Sequence, residues 1–169
     1  MLPAPHYDRI PSSGPDLIGV EMPERYILLV EDNPDDEELT LLSLRKNNLG
    51  HEIIVVRDGV EAIDFLFGSG QYTGRDISRA PTIVLLDLKL PKLDGLGVLK
   101  RLRADERTRI LPVVVLTSSS QDADVVASYN LGANSYVRKP VEFGAFVEAV
   151  SSLGLYWVIL NRPPPQHAA

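Results

Sequence analysis

Tyr26-Ile-Leu-Leu-Val-Glu-Asp32 is a short apolar run that ends abruptly in two carboxylates. With no polar residue alternating through it, the run suits a strand buried on both faces, as in a parallel sheet. Further along, Ile53–Val56 is a second run, and Thr82–Leu86 is a third that ends in Asp87. Val113–Leu116 is a fourth that ends in Thr117, and Ser135–Val137 is a short fifth before Lys139-Pro140. Helical patterns fill the intervals. Pro34 suits a first turn capped by Asp32 or Asn33, and the helix carries Leu39, Leu41, Leu42 and Leu44 towards a stop at Asn47-Asn48-Leu49-Gly50. Asp58-Gly59 opens a second helix to about Phe67, and Asp94 caps a third with Leu96, Val98, Leu99 and Leu102 inside. A fourth spans Gln121 to Leu131 before a left-handed Gly132, and a fifth runs from about Val141 to Leu160. Five strand–helix units in strict alternation predict an α/β fold with a parallel sheet covered on both faces.

The chain has 169 residues, 44% of them apolar, which suits one domain with a filled core. Prolines cluster before residue 24 and at Pro163-Pro164-Pro165, so residues 1–23 and 162–169 read as extended or disordered tails around a folded unit of 24–161. The absence of cysteine excludes disulfides, thiolate zinc and a cysteine nucleophile. A charge of −6 argues against a nucleic-acid binder, no apolar run reads as long enough for a bilayer, and no signal peptide is visible. These features suggest a cytoplasmic protein.

In open α/β sheets the binding crevice lies outside the carboxyl ends of the strands. Those ends carry Glu31-Asp32, Asp87, Thr117 and Lys139. Neighbouring carboxylates repel and call for a cation, and oxygen ligands without His or Cys suit Mg²⁺. A carboxylate beside such an ion can attack phosphorus and become an aspartyl phosphate. Thr117 can donate to the new phosphoryl group and Lys139 can neutralise it. Taken singly, Asp32 and Thr117 also read as helix caps, Asp87 as structural and Lys139 as a turn residue. Four such coincidences at strand ends are harder to accept.

Tyr26-Ile-Leu-Leu-Val-Glu-Asp32, Ile83-Val-Leu-Leu-Asp87, Pro91-Lys-Leu-Asp-Gly95, Val114-Val-Leu-Thr117 and Tyr136-Val-Arg-Lys-Pro140 together resemble the receiver domain of two-component response regulators, over about residues 24–150. The resemblance implies a doubly wound, flavodoxin-like five-stranded sheet in the order 2-1-3-4-5 with five helices. It implies Asp87 as phosphoacceptor, and a Mg²⁺ site of Glu31, Asp32 (the more direct ligand), Asp87 and the Lys89 backbone carbonyl. It implies Thr117 and Tyr136 as the switch pair, Lys139 as the phosphate-binding lysine, and a cis Lys139–Pro140 bond. The partners implied are a sensor histidine kinase and a downstream protein, with no nucleic acid or membrane. The protein is then a phosphoacceptor that promotes its own phosphorylation and dephosphorylation, not an ordinary enzyme. The loop from Gly68 to Pro81, the Asp87-Leu-Lys-Leu-Pro91 segment and the aromatic C-terminal extension resemble the single-domain regulators of phytochrome histidine kinases.

Lys89 and Ser119 occupy the positions where the family tunes phosphoryl lifetime. Gly68-Ser-Gly70 follows a helix and reads as an ordinary loop, not a dinucleotide site. Six of the eight residues from Glu31 to Glu38 are acidic, which suits a helix N-terminus, and the basic residues from Lys92 to Arg109 read as a solvated helix face. Phe143, Phe146, Val147, Val150, Leu153 and Trp157 form a stripe for packing on the sheet. From Leu153 to Leu160 every residue but Gly154 is apolar, so that segment needs a second surface, and Tyr156, Trp157 and Ile159 are the expected contacts of a homodimer. Two rivals are a haloacid-dehalogenase-type phosphatase, which needs an aspartate where Lys89 stands, and a receiver-like scaffold that is never phosphorylated.

Overall fold

A computed structural model describes residues 25–165. The expected tail 1–23 lies outside the described residues, as do residues 166–169, while 162–165 continue without regular structure. The strands are β1 (Tyr26–Val30), β2 (Glu52–Val56), β3 (Ile83–Leu86), β4 (Val113–Thr117) and β5 (Ser135–Arg138). The helices are α1 (Pro34–Arg45), α2 (Gly59–Phe67), α3 (Gly95–Arg103), α4 (Asp122–Asn130) and α5 (Phe143–Gly154). All pairings are parallel and the order is β2-β1-β3-β4-β5, the doubly wound arrangement expected.

Alternation along β1 sorts the core into two layers. Tyr26, Leu28 and Val30 face a cluster with Phe65 and Leu66 of α2 and Val98, Leu99 and Leu102 of α3. Ile27 and Leu29 face Leu41 and Leu44 of α1 and Phe146 and Val150 of α5. Because every strand residue of β1, β3 and β4 is buried, a polar side chain can appear only where a strand ends. That rule delivers the chemistry-bearing residues to one edge.

Several local details differ from expectation. Of the two expected caps of α1 it is Asn33 that serves, accepting from the N–H groups of Asp35 and Asp36, and Asp32 is left exposed. The fifth helix starts at Phe143 because Glu142 caps it, so Val141 is fully out in solvent and Phe143 is 67% exposed instead of joining the core stripe. Leu42 also faces out. The loop after α2 is anchored: Tyr72 is buried edge-on against Phe65, and its hydroxyl donates to Glu61. Arg75 stacks its guanidinium 3.9 Å from the Phe65 ring centroid and donates to the Tyr26 hydroxyl. The basic face is not wholly solvated. Arg103 donates to the carbonyl of Gly132, which has the expected left-handed φ of 91°, and Arg101 and Arg107 lie over the Phe67 ring.

Beyond Gly154 the chain continues as a π-helical segment, Leu155–Leu160. Trp157 and Val158 pack against the second core layer, whereas Leu155, Tyr156, Ile159 and Leu160 are exposed. Helix and extension together make an 18-residue stretch, Phe143–Leu160, of mean hydropathy 1.6. By length and composition it could cross a bilayer, which amends the expectation that no run is long enough. Phe146 and Val150 account for part of that apolarity, since both are buried on the sheet.

Two glycines set how closely the helix starts approach the β3–α3 loop. A Cβ on Gly59 would lie 1.8 Å from the Leu93 carbonyl oxygen, and one on Gly95 would lie 2.2 Å from the Asp87 carbonyl oxygen. Gly59→Ala is expected to lower stability by about 1–3 kcal/mol, the usual cost of forcing atoms into a packed site. An unchanged urea midpoint would show that the loop can move aside.

Candidate functional site

The sheet register brings the strand ends together. Val30 is paired with both Val56 and Leu86, so the next residues, Glu31 and Asp87, emerge side by side. The Glu31 N–H donates to the Val56 carbonyl, and the Asp87 N–H donates to the Val30 carbonyl, each at 3.1 Å. Asp87 is nearly buried, and its Oδ1 accepts from the N–H of Leu88 at 2.7 Å and of Lys89 at 3.4 Å. Lys89 itself is exposed.

Lys139 reaches this edge from the end of β5. Its buried ammonium contacts Glu31 Oε2 at 2.6 Å, Asp36 Oδ2 at 2.9 Å and Asp87 Oδ2 at 3.3 Å. Burial works against the charged lysine, but the bonds to Glu31 and Asp36 and the charge of Asp87 outweigh it and hold its pKa above the usual lysine value. Burial pushes the Glu31 carboxyl up to about 7, against the opposing pull of Lys139. The expected cis Lys139–Pro140 bond is corrected: no cis peptide occurs among the described residues. Trans is the ordinary isomer, favoured by about 0.5–1 kcal/mol before proline. With it the Lys139 N–H donates to the Thr117 carbonyl at 2.7 Å while the ammonium reaches the carboxylates.

Asp36 is a site residue that the sequence reading missed. It sits in the first turn of α1 within the acidic run, and only the approach of Lys139 distinguishes it from its neighbours. Glu37 of the same run pairs with Arg57 at 2.7 Å. The run therefore does more than complement the helix dipole.

Ligand oxygens of Glu31, Asp32 and Asp87 all lie within 4.8 Å of one another. With Asp36 the site holds four carboxylates, three of them on the Lys139 ammonium, an excess of negative charge that a divalent cation would relieve. The donors are all oxygens, and Asp32 is open to solvent, so the residues fit a hard cation that keeps some of its water.

Thr117 is fully buried at the end of β4, and its Oγ accepts a long bond, 3.4 Å, from the Ser119 N–H. Ser119 is buried too, and its hydroxyl donates to the Asp124 carboxylate of α4. The half-buried Tyr136 ring packs on the first core layer, and its hydroxyl donates to the Ser119 carbonyl at 3.0 Å. Thr117 and Tyr136 thus converge on one loop, and the Thr117 backbone links that loop to Lys139.

Comparison with known proteins agrees with this geometry. The family model for the response regulator receiver domain matches residues 27–151. The response regulator Rcp1 of Synechocystis sp. is 38% identical over 136 residues, 80% of this chain and 90% of its own. The crystal structure of its Mn²⁺-bound form superposes with a TM-score of 0.78 at 36% identity, covering 85% of this chain and all of that one. The phosphorylated cyanobacterial phytochrome response regulator RcpA gives 0.77 at 35% identity, covering 83% and 98%. The bacteriophytochrome response regulator AtBRR gives 0.65 at 52% identity, covering 82% and 98%. The resemblance drawn from the motifs is therefore borne out, including its phytochrome branch. Receivers are phosphoacceptors and not enzymes in the ordinary sense, and this chain belongs to the response regulator receiver domain family.

Proposed function

We propose that Asp87 accepts a phosphoryl group from the phosphohistidine of a phytochrome-type sensor histidine kinase, and that the phosphorylated chain signals to a protein partner. One observation carries this reading: the Lys139 ammonium spans Glu31, Asp36 and Asp87 at the edge of the sheet. The relatives that are phytochrome response regulators, one of them phosphorylated, support the choice of kinase.

In the transfer an Asp87 oxygen forms the new O–P bond as the P–N bond to the donor imidazole breaks, and the imidazole leaves with the electron pair. The N–H groups of Leu88 and Lys89 hold the carboxylate in one orientation. Lys139 loses nothing by turning from the Asp87 carboxylate to a phosphoryl oxygen, since the new group is the more highly charged. Mg²⁺, held by Asp32, Asp87 and the Lys89 carbonyl with Glu31 beside it, would supply further neutralisation of the phosphoryl oxygens. By the same positioning the chain promotes both its own phosphorylation and the hydrolysis that ends it. Thr117 then donates to the phosphoryl group, and the loop it shares with Tyr136 carries the change to the face of α4 and β5. The setting is the cytoplasm and the partners are proteins.

The extension serves a homodimer. Leu155, Tyr156, Ile159 and Leu160 leave an apolar face exposed where one helix face is already packed on the sheet.

Acetyl phosphate with Mg²⁺ is expected to phosphorylate the wild type stoichiometrically on Phos-tag gels, and to leave Asp87→Asn or an EDTA-treated sample unlabelled. Label retained in Asp87→Asn would place the acceptor elsewhere. Lys89→Asn is expected to change the rate of phosphoryl loss; equal decay in the two proteins would remove Lys89 from that role. Truncation after Ser152, or Tyr156→Glu with Ile159→Glu in the full chain, is expected to yield a monomer in sedimentation. A dimer surviving both changes would move the interface to another surface.

A further inference from the structure

At the edge of the sheet opposite the acidic site lies a groove of about 940 Å³ between the loop that precedes β3 and the loop that precedes β4. Its walls are apolar at Leu66, Ile77 and Ile110, and the extended Pro163–Pro165 segment closes one side. Ile77 and Ile110 are 40% and 47% exposed, so this apolar surface is uncovered among the described residues.

The charged side chains in the walls are Arg75, Arg107 and Arg109 with Asp76 and Glu106, and Arg107 is itself paired with Asp105 at 2.8 Å. Arg75 has an unmet need. It is 7% exposed, its Nη2 donates to Tyr26 and its Nη1 to the Asp76 carbonyl, but its buried Nε–H has no hydrogen-bond partner. A buried donor without an acceptor is a local source of instability in this wall.

We infer that this groove is the docking site of the chain's own N-terminal segment, centred on Asp16-Leu-Ile-Gly-Val-Glu21. Twenty-four residues precede Arg25, and the next residue, Tyr26, is the one whose hydroxyl contacts Arg75 at the groove wall. Residues 16–21 lie four to nine positions before Arg25, a reach of roughly 13–30 Å at about 3.3 Å per residue. The chemistry matches as well. Leu17, Ile18 and Val20 supply apolar side chains for Ile77 and Ile110, and Asp16 and Glu21 flank them with acceptors for Arg109. Residues 1–24 hold four carboxylates, Asp8, Asp16, Glu21 and Glu24, against Arg9. The docking is independent of phosphorylation and of the acidic site.

The lack of native cysteine makes a thiol test unambiguous. Gly19→Cys is combined in the full chain with either Ile110→Cys in the groove or Glu52→Cys, an exposed position paired with Tyr26 and so nearer the anchor of the segment. An undocked segment meets Glu52→Cys at least as often as Ile110→Cys. A docked one is expected to form the intramolecular disulfide with Ile110→Cys about tenfold faster, through its higher effective concentration. Adding Leu17→Asp and Ile18→Asp is expected to abolish that preference. Equal rates, a faster reaction at Glu52→Cys, a preference that survives the two aspartates, or a disulfide-linked dimer as the Ile110→Cys product would each overturn the inference.

Discussion

The Lys139 ammonium is the point on which the functional edge of the molecule depends. Glu31 at the end of β1, Asp36 in the first turn of α1 and Asp87 after β3 would each raise the energy of the others without a shared cation. A buried cation among carboxylates gains enough from geometry and hydrogen bonding to offset its lost hydration, and removing either sign leaves an uncompensated charge. The same arrangement leaves the surplus of negative charge that a divalent ion satisfies, so the chemistry and the local stability share one cause.

The strand ends were legible because burial on both faces forbids a polar residue within β1, β3 or β4. A carboxylate or hydroxyl next to an apolar run therefore marks the edge of the sheet. Glu31, Asp32, Asp87 and Thr117 were found this way, and Lys139 by its place after the short fifth run. Asp36 was not, because it is one carboxylate among six in a run of eight and its partner is 103 residues away. The anchoring of the loop after α2 was equally hidden. Tyr72 and Arg75 look like ordinary members of a polar loop, and only their approach to Glu61 and Phe65 reveals that they are buried. Phe143 was misplaced for the opposite reason: periodicity located its face correctly but not the capped helix start, which lifts it clear of the sheet.

The two ends of the sheet divide the work by chemistry. The carboxyl ends gather charge, and two glycines, Gly59 and Gly95, let the starts of α2 and α3 close in on the loop that carries Asp87. The opposite end gathers apolar loops, arginines and the prolines that follow the last helix. Between the two ends lie tightly packed apolar layers, which resist gradual deformation. Thr117, Ser119 and Tyr136 are linked by hydrogen bonds along one side of the acidic edge, outside those layers.

Trp157 is the chain's single tryptophan, and it sits half-buried in the C-terminal extension with its ring edge-on to Tyr156, 5.2 Å between centroids. Intrinsic fluorescence excited at the red edge of the indole band thus comes from one fluorophore located far from Asp87 along the chain. Its emission reports how solvated the extension is, so the molecule carries a built-in optical gauge of that segment's surroundings that needs no attached dye.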